Sequence, residues 1–158
     1  MPEISSAAAK LVVPSSAHID SLMQWFPDAA CVAIWSPSNS FPFVPERFVT
    51  ETMLHKHPSF MLVNTEEVPL AFGQYYERLG CCHLSRLVVN PLRRQEGVGA
   101  ELVSQLCDAG KAALSLQRCS LFVMQHNAAA LRLYARLGFT VVPYPEEIPL
   151  PACLYMQR

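Results

Sequence analysis

Seven segments of this chain show the alternation of apolar and polar residues, or the short apolar run, that is typical of β-strands. The clearest is residues 68–79, where Leu70, Phe72 and Tyr76 share one face of the pleat. A turn at residues 65–67 joins it to the segment before it, and the two are predicted to form a hairpin. The predicted strands are residues 10–13, 59–64, 68–79, 81–89, 120–124, 139–142 and 153–157.

Apolar residues at three- and four-residue spacing predict four helices. The first follows Ser15 and Ser16, which are good capping residues, and ends before Pro27. The last begins after the N-cap residue Asn127 and ends at Gly138. A short helix is predicted over residues 46–54, a long one over 97–114 and the last over 128–137. The inner face of the long helix is predicted to hold Val98, Leu102, Leu106, Ala109 and Ala113, and its outer face Glu101, Gln105 and Asp108.

The elements follow one another as a strand, helices, three strands, a helix, a strand, a helix and two strands. This order predicts a mixed α/β sheet. Residues 28–45 are rich in proline and aromatic residues, which predicts a packed but irregular segment. With 158 residues, of which 51% are hydrophobic, the chain is predicted to form a single domain over residues 1–158.

Composition excludes several classes of function. Since 12 Lys and Arg are balanced by 13 Asp and Glu, we expect no general attraction to nucleic acid. No apolar run approaches the roughly 18 residues of a membrane span, and the chain does not begin with a signal-peptide pattern. The six cysteines lack zinc or redox spacing, which predicts reduced, mostly buried thiols and no metal. We therefore expect a cytoplasmic protein without nucleic-acid or membrane partners, and a homodimer stays compatible with the sequence.

A glycine-spaced turn at residues 94–102 lies between a predicted strand and the long helix. Such a turn leaves backbone N–H groups free at a helix N-terminus, where the helix dipole also attracts anions. The turn therefore predicts a phosphate site. It is not a P-loop, because Gly99 is followed by Ala100 and Glu101 instead of Lys and Ser or Thr. Nor is it a dinucleotide fingerprint, since Leu102 occupies the place of the third glycine.

The turn is one of four motifs that together resemble the GNAT acyltransferase superfamily over about residues 83–140. The resemblance implies an α/β fold with a mixed, mostly antiparallel sheet of about seven strands, about four flanking helices and splayed central strands. The motifs are Leu87-Val88-Val89-Asn90-Pro91, Arg94-x-x-Gly97-x-Gly99, Asn127-x-x-Ala130-x-x-Leu133-Tyr134 and Leu137-Gly138-Phe139.

The resemblance implies acetyl-CoA as co-substrate, with its diphosphate on the amides of the glycine turn. Gly97 and Gly99 are expected to leave room for that diphosphate, and Arg93 and Arg94 to add charged contacts. Asn127 is expected beside the pantetheine arm as well as capping its helix. The expected cofactor-contacting residues are Leu87, Val88, Val89, Arg94, Gln95, Glu96, Gly97, Val98, Gly99, Ala100, Asn127 and Tyr134.

The resemblance also implies how the chemistry is divided among residues. Tyr134 matches the position of a general acid that protonates the leaving thiolate, although a core tyrosine is the alternative. A backbone N–H near Val89 is expected to stabilise the developing oxyanion. Many relatives carry a Glu as general base, but Ser85, Arg86 and Phe122 occupy the corresponding places. The candidate bases are therefore Glu77 or His83 through water, or no dedicated residue.

The leading hypothesis is an N-acetyltransferase that transfers the acetyl group directly to an amine of a small molecule or peptide in a ternary complex. The aromatic segment at residues 25–48 lies where this family builds its acceptor wall. Cys81 and Cys82 are interpreted as core thiols and not as acyl carriers. Two alternatives stay open: a CoA-binding or sensing module that catalyses no transfer, and an acetyltransferase of protein N-termini or lysines.

Overall fold

A computed structural model describes residues 9–158 and shows seven strands in one sheet. Its strand order is β1-β2-β3-β4-β5-β7-β6, in which β4 and β5 pair in parallel and all other neighbours are antiparallel. The expected mixed, mostly antiparallel sheet is thus confirmed. The strands are β1 (Lys10–Val12), β2 (Ser59–Val63), β3 (Pro69–Arg78), β4 (Cys81–Val89), β5 (Cys119–Met124), β6 (Thr140–Val141) and β7 (Cys153–Gln157).

Five α-helices flank the sheet in the described part of the chain, one more than the sequence predicted. The additional helix lies in the segment that was expected to be irregular. Asp28 caps it by accepting a hydrogen bond from the Cys31 N–H at 2.9 Å. The helices are α1 (Ser16–Met23), α2 (Ala29–Trp35), α3 (Pro45–Glu51), α4 (Val98–Leu114) and α5 (Ala128–Arg136), and a 3-10 turn spans Pro91–Arg93.

The two faces of the sheet carry separate cores. Helices α4 and α5 pack on one face, around Leu84, Leu106 and Leu121. The first three helices pack on the other face, around Leu22 and Phe72. Strands β2 and β3 contribute alternate side chains to the two cores, Leu62 and Ala71 to the first and Met61 and Phe72 to the second.

The inner face of α4 differs from the predicted one at its C-terminal end. Ala113 is exposed, whereas Gly110 is buried together with Val103 and Cys107. A Cβ atom on Gly110 would collide with Cys82 Sγ and would lie 3.0 Å from the Tyr75 ring. The absence of a side chain at residue 110 is therefore what lets the helix approach β3 and β4 so closely.

All six cysteines are free thiols. Four of them are buried, Cys153 is half-buried and Cys31 is exposed. Cys81 and Cys82 belong to the buried group, which agrees with their interpretation as core residues. Within residues 9–158, no helix is both long and apolar enough to cross a membrane.

We expect Gly110→Ala to destabilise the protein by about 1–3 kcal/mol, because the added methyl group overpacks the contact of α4 with β3 and β4. Alanine is intrinsically the better helix former by about 1 kcal/mol, so a purely local effect would have the opposite sign. Denaturant-induced unfolding measures the change. The matched control is Ala112→Gly at an exposed position of the same helix, which should cost only the propensity difference. Stabilisation by Gly110→Ala would contradict the packing argument.

Candidate active site

The two central parallel strands separate part of the way along their length. Strands β4 and β5 pair only from Cys82 with Cys119 to Leu84 with Leu121. Beyond these pairs β4 continues to Val89, while β5 stays paired with β7 as far as Met124. Residues 85–89 therefore have no pairing with β5, and the expected splay of the central strands is present.

A bulge in β4 redirects the strand where the separation begins. The register with β3 passes from Gln74 opposite Ser85 to Phe72 opposite Val88, so two residues of β4, Arg86 and Leu87, lie opposite the single residue Gly73 of β3. Arg86 takes a positive φ of 50° at this point. Its carbonyl oxygen accepts a hydrogen bond from Trp35 Nε1 at 2.8 Å, which ties α2 to the bulge.

The backbone after the bulge leaves one amide available toward the gap. The Asn90 N–H donates to the Leu70 carbonyl at 2.8 Å, so it points toward β3. Successive N–H groups of a strand point to opposite sides, which turns the Val89 N–H toward β5. Since β5 does not pair with this part of β4, the Val89 N–H is free to donate to a ligand in the gap.

The N-terminus of α4 provides a second group of free donors. Glu101 N–H makes the first backbone bond of the helix, to the Gly97 carbonyl at 3.2 Å. The N–H groups of residues 98–100 precede it and have no helical partner, and no side chain caps them. A helix of 17 residues aligns its peptide dipoles with these groups, which favours an anion there.

The two glycines of this turn have different roles. Gly97 has φ 76°, and a Cβ at residue 97 would meet nothing within 4 Å. Glycine is favoured there because of its left-handed backbone. At Gly99 a Cβ would lie 3.2 Å from Leu133 Cδ2 and 3.7 Å from Val89 Cγ2. Gly99 therefore permits close packing of α4 against α5, and the expectation that it also leaves room for a phosphate stays a prediction.

A cavity of about 860 Å³ joins the gap to the N-terminus of α4. Residues from both faces of the sheet line it, so it passes through the opening between β4 and β5. It contains every expected cofactor-contacting residue except Glu96, namely Leu87, Val88, Val89, Arg94, Gln95, Gly97, Val98, Gly99, Ala100, Asn127 and Tyr134.

Glu96 is the one expected contact that does not line the cavity, and its side chain lies 4.0 Å from Arg93 Nη1 in an ion pair. The expected contact of the diphosphate with the backbone amide of residue 96 stays a prediction. An acidic side chain facing a diphosphate would repel it, so the outward direction of Glu96 preserves the anion site. Arg93 itself still lines the cavity, in agreement with its expected proximity to phosphate.

Tyr134 lies on α5 with its ring against Phe139, at a centroid distance of 6.0 Å. The tyrosine lines the cavity, and among the described residues its hydroxyl has no hydrogen-bond partner. Burial raises the pKa of Tyr134 to about 12. The phenol therefore stays protonated at physiological pH and can donate a proton into the cavity.

Asn127 caps α5 through its side-chain oxygen, which accepts from the Ala130 N–H at 3.2 Å. The same residue lines the cavity. Its amide nitrogen, the opposite end of the side chain, makes no bond to another described residue and is available to a ligand. The helix-capping role and a ligand contact are therefore compatible.

His83 lines the cavity but is a poor general base. Its Nδ1 lies 2.8 Å from Ser120 Oγ, and its ring packs against Tyr76 and Phe122. Burial, with a further contribution from the charge of Arg78, lowers the pKa of His83 to about 3. The imidazole is thus neutral at physiological pH and resists protonation.

Glu77, one of the two candidate bases, does not lie where the sequence predicted. It lies on β3 between Tyr76 and Arg78, which both line the cavity. Because side chains alternate along a strand, Glu77 points to the opposite face of the sheet, where it is exposed. The structure therefore does not bring Glu77 to the site.

Two arginines reach the cavity on the face opposite α4, and no role was predicted for either of them. Arg78 projects from β3, and Arg86 projects from the bulge of β4. The sequence feature that could have identified them is an arginine at a strand position whose side chain, by strand alternation, lies on a face covered by helices. Part of the aromatic segment forms the neighbouring wall of the cavity, with Trp25, Phe26 and Trp35 lining it. Trp25 and Phe26 are also buried in the core, as expected of residues that cover the sheet.

Comparison with known proteins places this geometry in a family. The model of the Acetyltransferase (GNAT) family matches residues 19–139. No match is found among curated proteins.

Several solved structures share the fold. A spermidine N-acetyltransferase from Vibrio cholerae, in complex with CoA and spermine, is 15% identical with a TM-score of 0.74, covering 96% of this chain and 95% of its own. The ribosomal-protein-S18-alanine N-acetyltransferase from Escherichia coli is 19% identical with a TM-score of 0.64, covering 94% and 92%. A GNAT-family acetyltransferase from Bacillus anthracis is 14% identical with a TM-score of 0.74, covering 96% and 94%.

At these identities the solved structures establish the fold alone, whereas the family model spans most of the chain. The splayed strands, the free amides at the head of α4 and the tyrosine on α5 occupy the matched region. The chain belongs to the GNAT acetyltransferase family.

Proposed function

We propose that this protein is an acetyl-CoA-dependent N-acetyltransferase that transfers an acetyl group directly to an amine. The observation that carries the proposal is that one cavity contains three functional elements. These are the free amides at residues 98–100, the free N–H of Val89 and the unpartnered hydroxyl of Tyr134.

The residues at the head of α4 fit a diphosphate. The N–H groups of residues 98–100 converge on one place, and the space beside Gly97 is open. Arg93 and Arg94 add positive charge at the edge of the same place. When bound, acetyl-CoA supplies an acetyl group that is already activated as a thioester.

The Val89 N–H and Tyr134 act on the charges that develop during transfer. The Val89 N–H is directed into the gap, where it can donate to the oxygen that becomes negative when the amine attacks. Tyr134 is the group placed to donate a proton to the departing sulfur, and burial, which raises its pKa to about 12, holds the phenol in the protonated form. Both donors come from fixed backbone or helix positions, so little reorganisation is needed.

The acceptor amine must be neutral to attack, and the chain provides no strong base for this step. The cavity lining contains no Asp or Glu within the described chain, and His83 titrates only at about pH 3. The positive charges of Arg78 and Arg86 disfavour an ammonium ion nearby and so lower the pKa of a bound amine. We propose that the amine loses its proton to water under this influence.

The absence of a carboxylate from the described cavity lining also favours a second candidate, a CoA-binding module without catalysis. The two candidates share the diphosphate site and differ at Tyr134. A module that only binds CoA has no use for a proton donor at the acyl end of the cavity, whereas transfer requires one.

Replacement of Tyr134 by Phe separates these candidates. We expect Tyr134→Phe to lower kcat by about 100-fold and to leave CoA affinity nearly unchanged, because the ring is kept and only the proton donor is lost. Thiol release measures kcat, and calorimetry with CoA measures affinity. Tyr155→Phe is the control, because it removes a hydroxyl that does not line the cavity. Unchanged kcat in Tyr134→Phe would remove its role as general acid. The absence of thiol release by wild-type protein with every amine would favour the binding module.

The conformation of Gly97 yields a second prediction. Gly97→Val should weaken CoA binding about tenfold or more, because a β-branched residue disfavours φ 76° and displaces the free amides that follow. Gly97→Asn is the matched variant, since asparagine tolerates the left-handed region and the space around residue 97 is open. Calorimetry should find the Asn variant close to wild type. Equal losses in both variants would show that the backbone conformation is not the cause.

The pH dependence follows from the titration of these groups. We expect kcat/KM to rise with pH up to the pKa of the acceptor amine, since only the neutral amine attacks. Tyr134 stays protonated below its pKa of about 12, so no falling limb is expected in the usual range of about pH 6 to 9. His83 is neutral across the same range because its pKa is about 3. An inflection near the ordinary histidine pKa of about 6.5 that disappears in His83→Gln would identify His83 as the base.

A further inference from the structure

The acceptor end of the cavity is positively charged without an internal counter-ion. Arg78 and Arg86 line it, and no Asp or Glu does so within residues 9–158. The one ion pair in this range joins Arg93 to Glu96, at the other end of the cavity. Charged groups that are withdrawn from water normally have a partner of opposite sign.

The guanidinium of Arg86 is held in place by neutral acceptors. Its Nε donates to Ser36 Oγ at 2.8 Å, Nη1 donates to Gln74 Oε1 at 2.9 Å and Nη2 donates to Ser38 Oγ at 3.2 Å. Gln74 is in turn held by the Thr52 carbonyl at 2.8 Å and Ser59 Oγ at 2.9 Å. These bonds fix the orientation of the guanidinium but leave its charge uncompensated. Burial lowers the pKa of Arg86, which shows the cost of that charge.

Arg78 adds positive potential in the same way. Its Nε donates to the Tyr144 hydroxyl at 2.9 Å and its Nη1 to the Tyr76 hydroxyl at 2.8 Å. The guanidinium carbon lies 5.1 Å from the centre of the Phe122 ring. Burial acts to lower the pKa of Arg78, but its hydrogen bonds to the two tyrosines outweigh that effect and raise it. Arg78 therefore stays charged without a carboxylate partner.

Ser85 supplies an independent sign that a ligand is missing. Its Oγ is fully shielded from solvent and has no hydrogen-bond partner among the described residues. Ser85 lines the cavity directly before Arg86 and lies opposite Gln74 in the register. Leaving a buried hydroxyl without a partner is unfavourable, so Ser85 Oγ is expected to find one in the functional complex.

We propose that the acceptor is a small amine that carries a carboxylate, and that Arg86 and Ser85 bind this carboxylate. The proposal rests on the proposed N-acetyltransferase activity and names the substrate class of the same site. Guanidinium and hydroxyl are both donors, and the planar guanidinium matches the two oxygens of a carboxylate. The ligand then supplies the negative charge that the cavity lining lacks.

The same charges disfavour a polyamine. Spermidine carries several ammonium groups, and two uncompensated guanidinium groups that line the cavity would repel them. The Vibrio cholerae spermidine N-acetyltransferase shares the fold with this chain. On this proposal the two proteins nevertheless differ in acceptor class, because the acceptor end of the cavity in this chain is positively charged.

The test uses wild-type protein, acetyl-CoA and matched acceptors. Each set contains an amino acid, its carboxamide and its decarboxylated amine, for example phenylalanine, phenylalaninamide and phenethylamine, with spermidine as a separate acceptor. Thiol release gives kcat/KM, normalised to the concentration of neutral amine because the amine pKa differs within a set. We expect the acid to exceed the carboxamide and the amine by about 30-fold or more, as a charge-assisted bond of about 2 kcal/mol predicts.

Two variants test whether the carboxylate of the acceptor binds to Arg86. Arg86→Gln should reduce the acid-to-carboxamide ratio to near 1, an effect that a general loss of folded protein would not produce, because it lowers all rates together. Arg132→Gln removes one positive charge from an exposed position outside the cavity and should keep the wild-type ratio. If Arg86→Gln does not fold, the comparison of acceptors with wild-type protein still decides.

The outcomes separate this inference from the proposed function. Turnover of carboxamides, decarboxylated amines or spermidine as fast as that of the acids would overturn the carboxylate assignment and leave the N-acetyltransferase activity standing. A wild-type ratio in Arg86→Gln would overturn the role of Arg86. Thiol release with none of the acceptors, in protein that still binds CoA by calorimetry, would overturn both proposals.

Discussion

The structure depends on the early end of the hydrogen-bonded ladder between β4 and β5. A parallel pair buried in the middle of a sheet normally satisfies its backbone groups along its whole length. Here pairing ends at Leu84 and Leu121, and the freed edge of β4 faces a cavity. The bulge at Arg86 keeps β4 attached to β3 while it turns away from β5. The cavity, the available Val89 amide and the passage between the two faces all result from this separation.

The features that were predicted correctly from the sequence are those that depend on residues close together in the chain. The turn before α4 was recognisable because Gly97 and Gly99 lie between a strand and a long amphipathic helix, and Asn127 marked the start of α5. Helix α2 was missed because its cap, Asp28, precedes only seven apolar residues flanked by prolines. The outward direction of Glu77 follows from strand alternation, so that error was avoidable.

The positive charge that Arg78 and Arg86 bring to the cavity could not be predicted from local sequence patterns. Arg86 is held by Ser36 and Gln74, which lie 50 and 12 residues away in the chain. The low pKa of His83 likewise depends on burial and on Arg78, which comes from another strand. Such properties arise only when distant segments are brought together, and a single sequence does not show which acidic groups stay outside the cavity.

The hydrogen bond from Trp35 to the Arg86 carbonyl couples helix α2 to the bulge of β4. The indole is also packed among Phe26, Phe48 and Phe72, so the position of α2 and the path of β4 are fixed by the same side chain. A substitution on α2 that tilts this indole would therefore shift the strand that carries the free Val89 amide. Changes on α2 are consequently compatible with the present path of β4 only where they leave the indole in place.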